Sequence, residues 1–131
     1  MNNRQLMLMA QEARKNCYTP YSGYNVGAAL LAKDGRVFLG CNIESGVHTP
    51  TICAERTAYA KAVSEGVREF DRIAIVGGPG DSLDPVCAPC GVCRQVMSEF
   101  SSDDFVIVLG TPDNHREYTL AELLPLAFHL K

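Results

Sequence analysis

Apolar and polar positions alternate along this chain in two different periods, and the period changes segment by segment. From about Arg4 to Asn16, Leu6, Met9, Ala10 and Ala13 recur at helical spacing, and YTPYSGYN, rich in Pro, Gly and Ser, ends that helix. VGAALLAK and VFLGCNI flank Asp34-Gly35-Arg36, a Gly after Asp between two β-favouring runs, which predicts a hairpin of strands at about Val26 to Lys33 and Val37 to Ile43. ESGVHTPT reads as loop because Gly46 and Pro50 interrupt it, and ICAERTAYAKAVSE has the alanines, charges and apolar spacing of a helix that stops near Gly66. IAIVGG and FVIVLG are short, nearly continuous β-branched runs of the kind buried in a covered sheet, with CGVCRQVMSEF between them as a helix. TLAELL, with Thr119 and Glu122 at capping-box spacing, predicts a last helical turn that Pro125 closes. The order helix, hairpin, helix, strand, helix, strand, helix predicts an α/β fold whose mixed sheet is covered by helices on both faces.

Composition narrows the function. At 131 residues and 47% hydrophobic content the chain is expected to form a single domain, residues 1–131, with one core. A formal net charge of -3, from 12 basic and 15 acidic side chains spread along the chain, offers no cationic block to neutralise phosphates, so nucleic acid is not the expected partner. The longest uncharged apolar stretch, around Val26 to Ala32, is far shorter than the roughly 20 residues of a membrane span. MNNRQLMLMAQEARK lacks the apolar core of a signal peptide, and a cytoplasmic location is expected.

In a reducing compartment, six cysteines point to a metal or to reactive thiols more than to disulfides. Cys17 and Cys41 stand apart and read as small hydrophobes. Cys53 begins one predicted helix, and Cys90 begins another after the Pro-containing DSLDPVCAP. A helix N-terminus presents free N–H groups and about half a positive charge, which favours the thiolate that a metal binds. Cys90 and Cys93 are three apart and share a face of the first turn. With Cys53 they make three thiolate ligands for an ion lying off the helix end, over which Glu55 leans from the first turn without being a ligand. Three protein ligands and an open fourth position describe a catalytic zinc, whose bound water has a pKa of about 7 against 15.7 in bulk. Two other arrangements compete for the thiols. A structural zinc would recruit a fourth ligand, for which Cys87 is available, and an iron-sulfur run would need a further Cys-Pro that is absent.

Cys53-Ala54-Glu55 and Pro89-Cys90-Gly91-Val92-Cys93 match the pattern of the zinc nucleobase deaminases. Through YSGYNVGAALL, GCNIE, ICAERTA, PCGVCRQV and ELLPLAF, the chain resembles the small, all-cysteine form of cytidine deaminase from its first helix to Phe128. The resemblance implies a three-layer α/β/α domain holding one Zn2+ per chain. It also implies a homotetramer whose active sites neighbouring subunits complete. Asn42 and Glu44 match positions that hold the ribose hydroxyls, and the Ala54 backbone one that holds the pyrimidine. Tyr24 matches a position usually occupied by a Phe against the base, and Phe128 a C-terminal aromatic supplied by another subunit. Arg56 matches a donor to the cysteine sulfurs, where its charge offsets three thiolates.

The expected reaction is hydrolytic deamination of free cytidine and 2'-deoxycytidine to uridine and 2'-deoxyuridine with release of ammonia, the nucleosides being the small-molecule partners. Replacing the 4-amino group by oxygen needs a nucleophile at C4, a proton on N3 and another on the departing amine, and Glu55 alone can move all of these protons. The runner-up is another aminopyrimidine nucleoside by the same chemistry, because His48, Ser45, Gly46 and Tyr24 depart from the family pattern around the pocket. A non-catalytic zinc-stapled module has no use for Glu55 or an open metal position. Tyr18 and Tyr21 read as loop packing, and His115 and His129 as surface residues near turns.

Overall fold

The computed structural model describes residues 1–130. The elements follow in the order α1 (Asn3–Ala13) with a 3-10 turn (Arg14–Asn16), β1 (Tyr24–Ala32), β2 (Val37–Cys41), α2 (Ala54–Ser64), β3 (Phe70–Pro79), α3 (Gly91–Phe100), β4 (Val106–Thr111), β5 (Asn114–Thr119) and α4 (Leu120–Leu123). The five strands form one mixed sheet in the order β2-β1-β3-β4-β5, with β3 and β4 parallel and the other pairs antiparallel.

The apolar runs alternate between two buried faces, which is why they read as continuous. Ala28, Leu30, Ile73, Ile75, Ile107 and Leu109 point to one face, where Ala54, Ala58 and Ala62 of α2 and Met97 of α3 cover them. Ala29, Ala74, Val76 and Val108 point to the other, beneath Leu6, Met7 and Ala10 of α1. The result is the expected three-layer α/β/α arrangement. Tyr59 of α2 stacks against Phe100 of α3 at 5.8 Å between centroids and meets Phe70 edge-on at 5.0 Å, an aromatic contact that sets the two helices side by side.

Two strand boundaries and one element differ from expectation, and the first is β1, which begins earlier, at Tyr24. β2 ends at Cys41, and Ile43 instead makes isolated bridges to Tyr18 and Ile52. Strand β5 went unpredicted because NHREYT carries no continuous apolar run. It is an edge strand, and its paired side is β4, from Val106↔Thr119 to Thr111↔Asn114; charge on an edge is how such strands avoid further pairing. The closing turn does form, with Thr119 accepting from the Glu122 backbone and Glu122 reaching back to the Thr119 N–H.

The topology decides where chemistry can gather. β2 and β3 both run antiparallel to β1, so they point the same way and their C-terminal ends lie at one edge of the sheet. α2 follows β2 and α3 follows β3, so both helices start at that edge. Tyr24, the first residue of β1, lies there too, opposite Pro79.

Candidate metal centre and active site

Cys53 and Cys90 are the N-cap residues of α2 and α3. Both have extended backbone, and neither sulfur caps its own helix, so both thiols remain free to face outward. Cys93 lies one turn into α3 and is buried. The three sulfurs lie within 4.8 Å of one another, and Cys53 Sγ is 3.7 Å from Cys90 Sγ. Zinc binds sulfur at about 2.3 Å, and a tetrahedral site built on that length separates its sulfurs by about 3.8 Å, so the cluster fits one ion. Cys87 is not part of the cluster, which removes it as the fourth ligand of a structural site.

The electrostatics of the thiols point the same way. A hydrogen bond from Cys93, supplemented by Arg56, holds Cys53 down at about 5. That same hydrogen bond, with burial and the neighbouring Glu55 charge, pushes Cys93 far up. Within the pair, one thiol is therefore held low and the other high, as two close thiols sharing one proton would be. Arg56 Nη2 donates to Cys53 Sγ at 3.5 Å, and this contact raises the guanidinium still further. Its buried Nε has no hydrogen-bond partner among the described residues. A positive, under-used donor beside three thiols matches a centre with an excess of negative charge.

Glu55 is 3% exposed. Burial pushes its carboxyl up to about 7, with the Cys53 charge adding to the rise, while its own backbone N–H and the Cys93 thiol pull the other way. The helix start that carries Glu55 is pressed onto the sheet at Gly40: a Cβ there would come within 2.2 Å of the Ala54 carbonyl oxygen and 2.6 Å of the Ala58 nitrogen. Ala54 itself is fully buried.

The other residues named from the sequence gather at the same edge, with one exception. Asn42 stands just past β2, where its Oδ1 accepts from the Val26 N–H at 3.0 Å and its Nδ2 donates to the Tyr24 carbonyl at 2.8 Å. The side chain thus extends the β1–β2 ladder by one residue. Glu44 Oε1 accepts from the backbone N–H groups of Tyr21 and Ser22, both at 3.1 Å, and Oε2 from the Ser22 hydroxyl, which holds its carboxyl below the usual range. Tyr24 donates its hydroxyl to Asp84 Oδ2 at 2.8 Å; burial, then this bond, raises the phenol strongly. Phe128 is the exception. It is 67% exposed, and its carbonyl accepts from Gln95 Nε2 at 2.9 Å. Tyr18 and Tyr21, expected to pack in the loop, are exposed, and His115 is half-buried on β5 with Nδ1 3.1 Å from the Pro112 carbonyl.

Asp84, the partner of Tyr24, is not legible in the sequence, since sixty positions separate them and no local signal links them. Nor are the surroundings of Cys87, whose thiol burial pushes up to about 11, with the Glu55 charge contributing and Tyr24 opposing.

Comparison with known proteins places these features in a family. Residues 1–109 match the family described as the cytidine and deoxycytidylate deaminase zinc-binding region. A cytidine deaminase of Sporosarcina psychrophila is 46% identical over 129 residues, covering 98% of this chain and 92% of that protein. A blasticidin-S deaminase of Bacillus cereus is 36% identical over 109 residues, 80% of this chain and 77% of that protein. The crystal structure of a cytidine deaminase from Burkholderia pseudomallei superposes with a TM-score of 0.90 at 42% identity, covering 98% of this chain and 100% of that one. With three thiols spaced for one zinc and a family match across most of its length, the chain belongs to the cytidine and deoxycytidylate deaminases.

Proposed function

We propose that the protein is a zinc-dependent hydrolase that converts free cytidine and 2'-deoxycytidine, with water, to uridine and 2'-deoxyuridine plus ammonia. One observation carries this reading: a buried carboxyl pushed up to about 7 stands beside a three-thiol cluster fit for a single zinc. Cys53, Cys90 and Cys93 would hold the ion, which when bound supplies Lewis-acid activation of water.

Glu55 then does the proton work. As a carboxylate it accepts the proton of the attacking water and delivers it to ring N3, which makes C4 electrophilic. It next takes the proton of the new C4 hydroxyl and carries it to the 4-amino group; the C4–N bond breaks, ammonia leaves, and the C4 carbonyl forms. A carboxyl near neutrality serves as acceptor and donor about equally well. Arg56 keeps negative charge on the thiolates from rising too far. The Ala54 backbone at the start of α2 orients the pyrimidine, and the Tyr24 ring forms a wall against it, its hydroxyl turned to Asp84. Asn42 and Glu44 hold the ribose hydroxyls with the capacity that their backbone contacts leave over, since Asn42 Nδ2 has a second hydrogen and Glu44 further lone pairs.

Exposed Phe128 suits the role of an aromatic lent to a neighbouring subunit, and we read the assembly as a homotetramer with shared active sites acting in the cytoplasm. No helix among the described residues is long and apolar enough to cross a membrane. The test is ammonia release from cytidine and 2'-deoxycytidine by purified protein, before and after zinc removal with a chelator. Zinc-dependent release supports the reading. Its absence from protein holding about one zinc per chain would move the reading to another aminopyrimidine nucleoside, an alternative favoured by the likeness to a blasticidin-S deaminase.

A further inference from the structure

Arg14, in the 3-10 turn that ends α1, lies on the α1 side of the sheet, across from the helices that carry the thiols. Its side chain is buried, 7% exposed. Nε donates to the Asn25 carbonyl at 2.9 Å, and Nη2 to the carbonyls of Gly78 at 3.1 Å, Gly80 at 2.8 Å and Ser82 at 2.7 Å. These acceptors belong to the start of β1, the end of β3 and the loop that leaves β3. The same loop continues through Cys87 and Pro89 to Cys90 and the first turn of α3.

A planar guanidinium holds its donors at fixed angles, and each bond from a charged donor is roughly twice as strong as a neutral one. Three carbonyls converge on Nη2 and share its two hydrogens, and without that charge between them they would repel one another. Arg14 therefore sets the curvature of this loop as well as its anchorage. The loop doubles back so closely that a Cβ on Gly78 would meet the Ser82 carbonyl oxygen at 2.2 Å. Lighter ties hold it from the β1 side: Asn25 Nδ2 donates to the Gly80 carbonyl at 3.0 Å, the Gly80 N–H to the Gly23 carbonyl at 3.0 Å, and the Tyr24 hydroxyl to Asp84.

We infer that Arg14 is a positioning residue for the metal centre, fixing from behind the sheet the loop that delivers Cys90 and Cys93 to Cys53. The inference rests on the reading of the thiol cluster as a zinc site. Ligands on two separate chain segments bind one ion well only when their spacing is set beforehand, and groups that orient ligands typically change metal affinity about 10- to 100-fold. Cys53 arrives on the well-packed start of α2, so the loop before α3 is the arm left to be set.

The experiment compares the native protein with Arg14→Met and Arg14→Lys. The readouts are zinc affinity by chelator competition, the sulfur-to-metal absorption of the cobalt-substituted forms, and the rise in melting temperature on adding zinc. Arg14→Met is expected to weaken zinc binding at least about 10-fold, alter the cobalt spectrum and shrink the zinc-induced rise. Arg14→Lys keeps the buried charge without the fork, so it is expected to fold and to weaken binding by less. If both variants bind zinc as the native protein does, or if zinc-free and zinc-loaded forms lose equal thermal stability, Arg14 only supports the fold and the inference is overturned. Should Arg14→Met not fold, native zinc affinity and an unchanged cobalt spectrum in Arg14→Lys overturn it equally. A native protein that takes up no zinc would overturn the reading of the cluster first and this inference with it.

Discussion

The sulfurs of Cys53 and Cys90 lie 3.7 Å apart, although 37 positions separate them in the chain. Each caps a helix that follows one of two like-directed strands, and the contact is therefore a property of the sheet. Nothing local to either cysteine requires it.

On the proposed role of Glu55 as proton carrier, and with its carboxyl outside the thiol cluster, Glu55→Ala is expected to retain about one zinc per chain while losing at least about 100-fold in turnover, the lower end of general acid-base effects. Zinc content and ammonia release on the same sample check this. Parallel loss of zinc and activity would make Glu55 structural.

The same residue carries a pH signature in the zinc-free protein. Its folded-state pKa, about 7, is raised above the usual 4.5, so the folded chain favours the protonated form. The stability this brings is present below about 4.5 and is lost as pH rises through about 7, amounting to about 3 kcal/mol in all. Cys53, held down at about 5, pushes in the opposite direction over part of this range. The comparison with Glu55→Gln cancels the Cys53 contribution. Denaturant unfolding of the two proteins should show the variant gaining on the native chain between pH 4.5 and 7, and a constant difference would refute the assignment.

Cys87 packs against the core outside the cluster, so Cys87→Ser is expected to bind zinc normally. In the folded native protein its thiol, pushed up to about 11, exposes about one thiolate in a thousand at pH 8. Alkylation of Cys87 by iodoacetamide at that pH should run about 100-fold slower than for a free cysteine and rise about tenfold per pH unit. Peptide mapping after timed labelling gives the rate.

Removing the Arg56 charge in Arg56→Gln leaves the thiolates without their donor, and zinc affinity is expected to fall about 10- to 100-fold in chelator competition. Gly40→Ala attacks the same centre through packing. The added methyl meets the Ala54 carbonyl, so the start of α2 must lift, at an expected cost of about 1–3 kcal/mol in chemical denaturation together with reduced turnover.

Much of this protein could be read from its amino acids. Helix and strand periods, the Asp34-Gly35 turn and the Thr119 and Glu122 capping box are encoded within a few neighbouring residues, and they form close to where the sequence places them, with β2 ending earlier, at Cys41. The candidate chemistry of the centre was legible in two short motifs taken together, because Cys53-Ala54-Glu55 and Pro89-Cys90-Gly91-Val92-Cys93 match the pattern of the zinc nucleobase deaminases. β5 escaped because an edge strand is defined by its partner β4, not by an apolar run of its own. Tertiary structure alone decided that Cys87 stays out of the cluster, that the Tyr24 hydroxyl turns to Asp84, that Asn42 spends part of its hydrogen bonding on the start of β1 and Glu44 on the loop before it, and that Arg14 reaches under the arm bearing Cys90. Propensity and spacing act over one or two turns of chain, whereas these contacts exist only once the sheet has brought distant segments to one edge, where burial and hydrogen-bond geometry select among partners that the linear order does not connect.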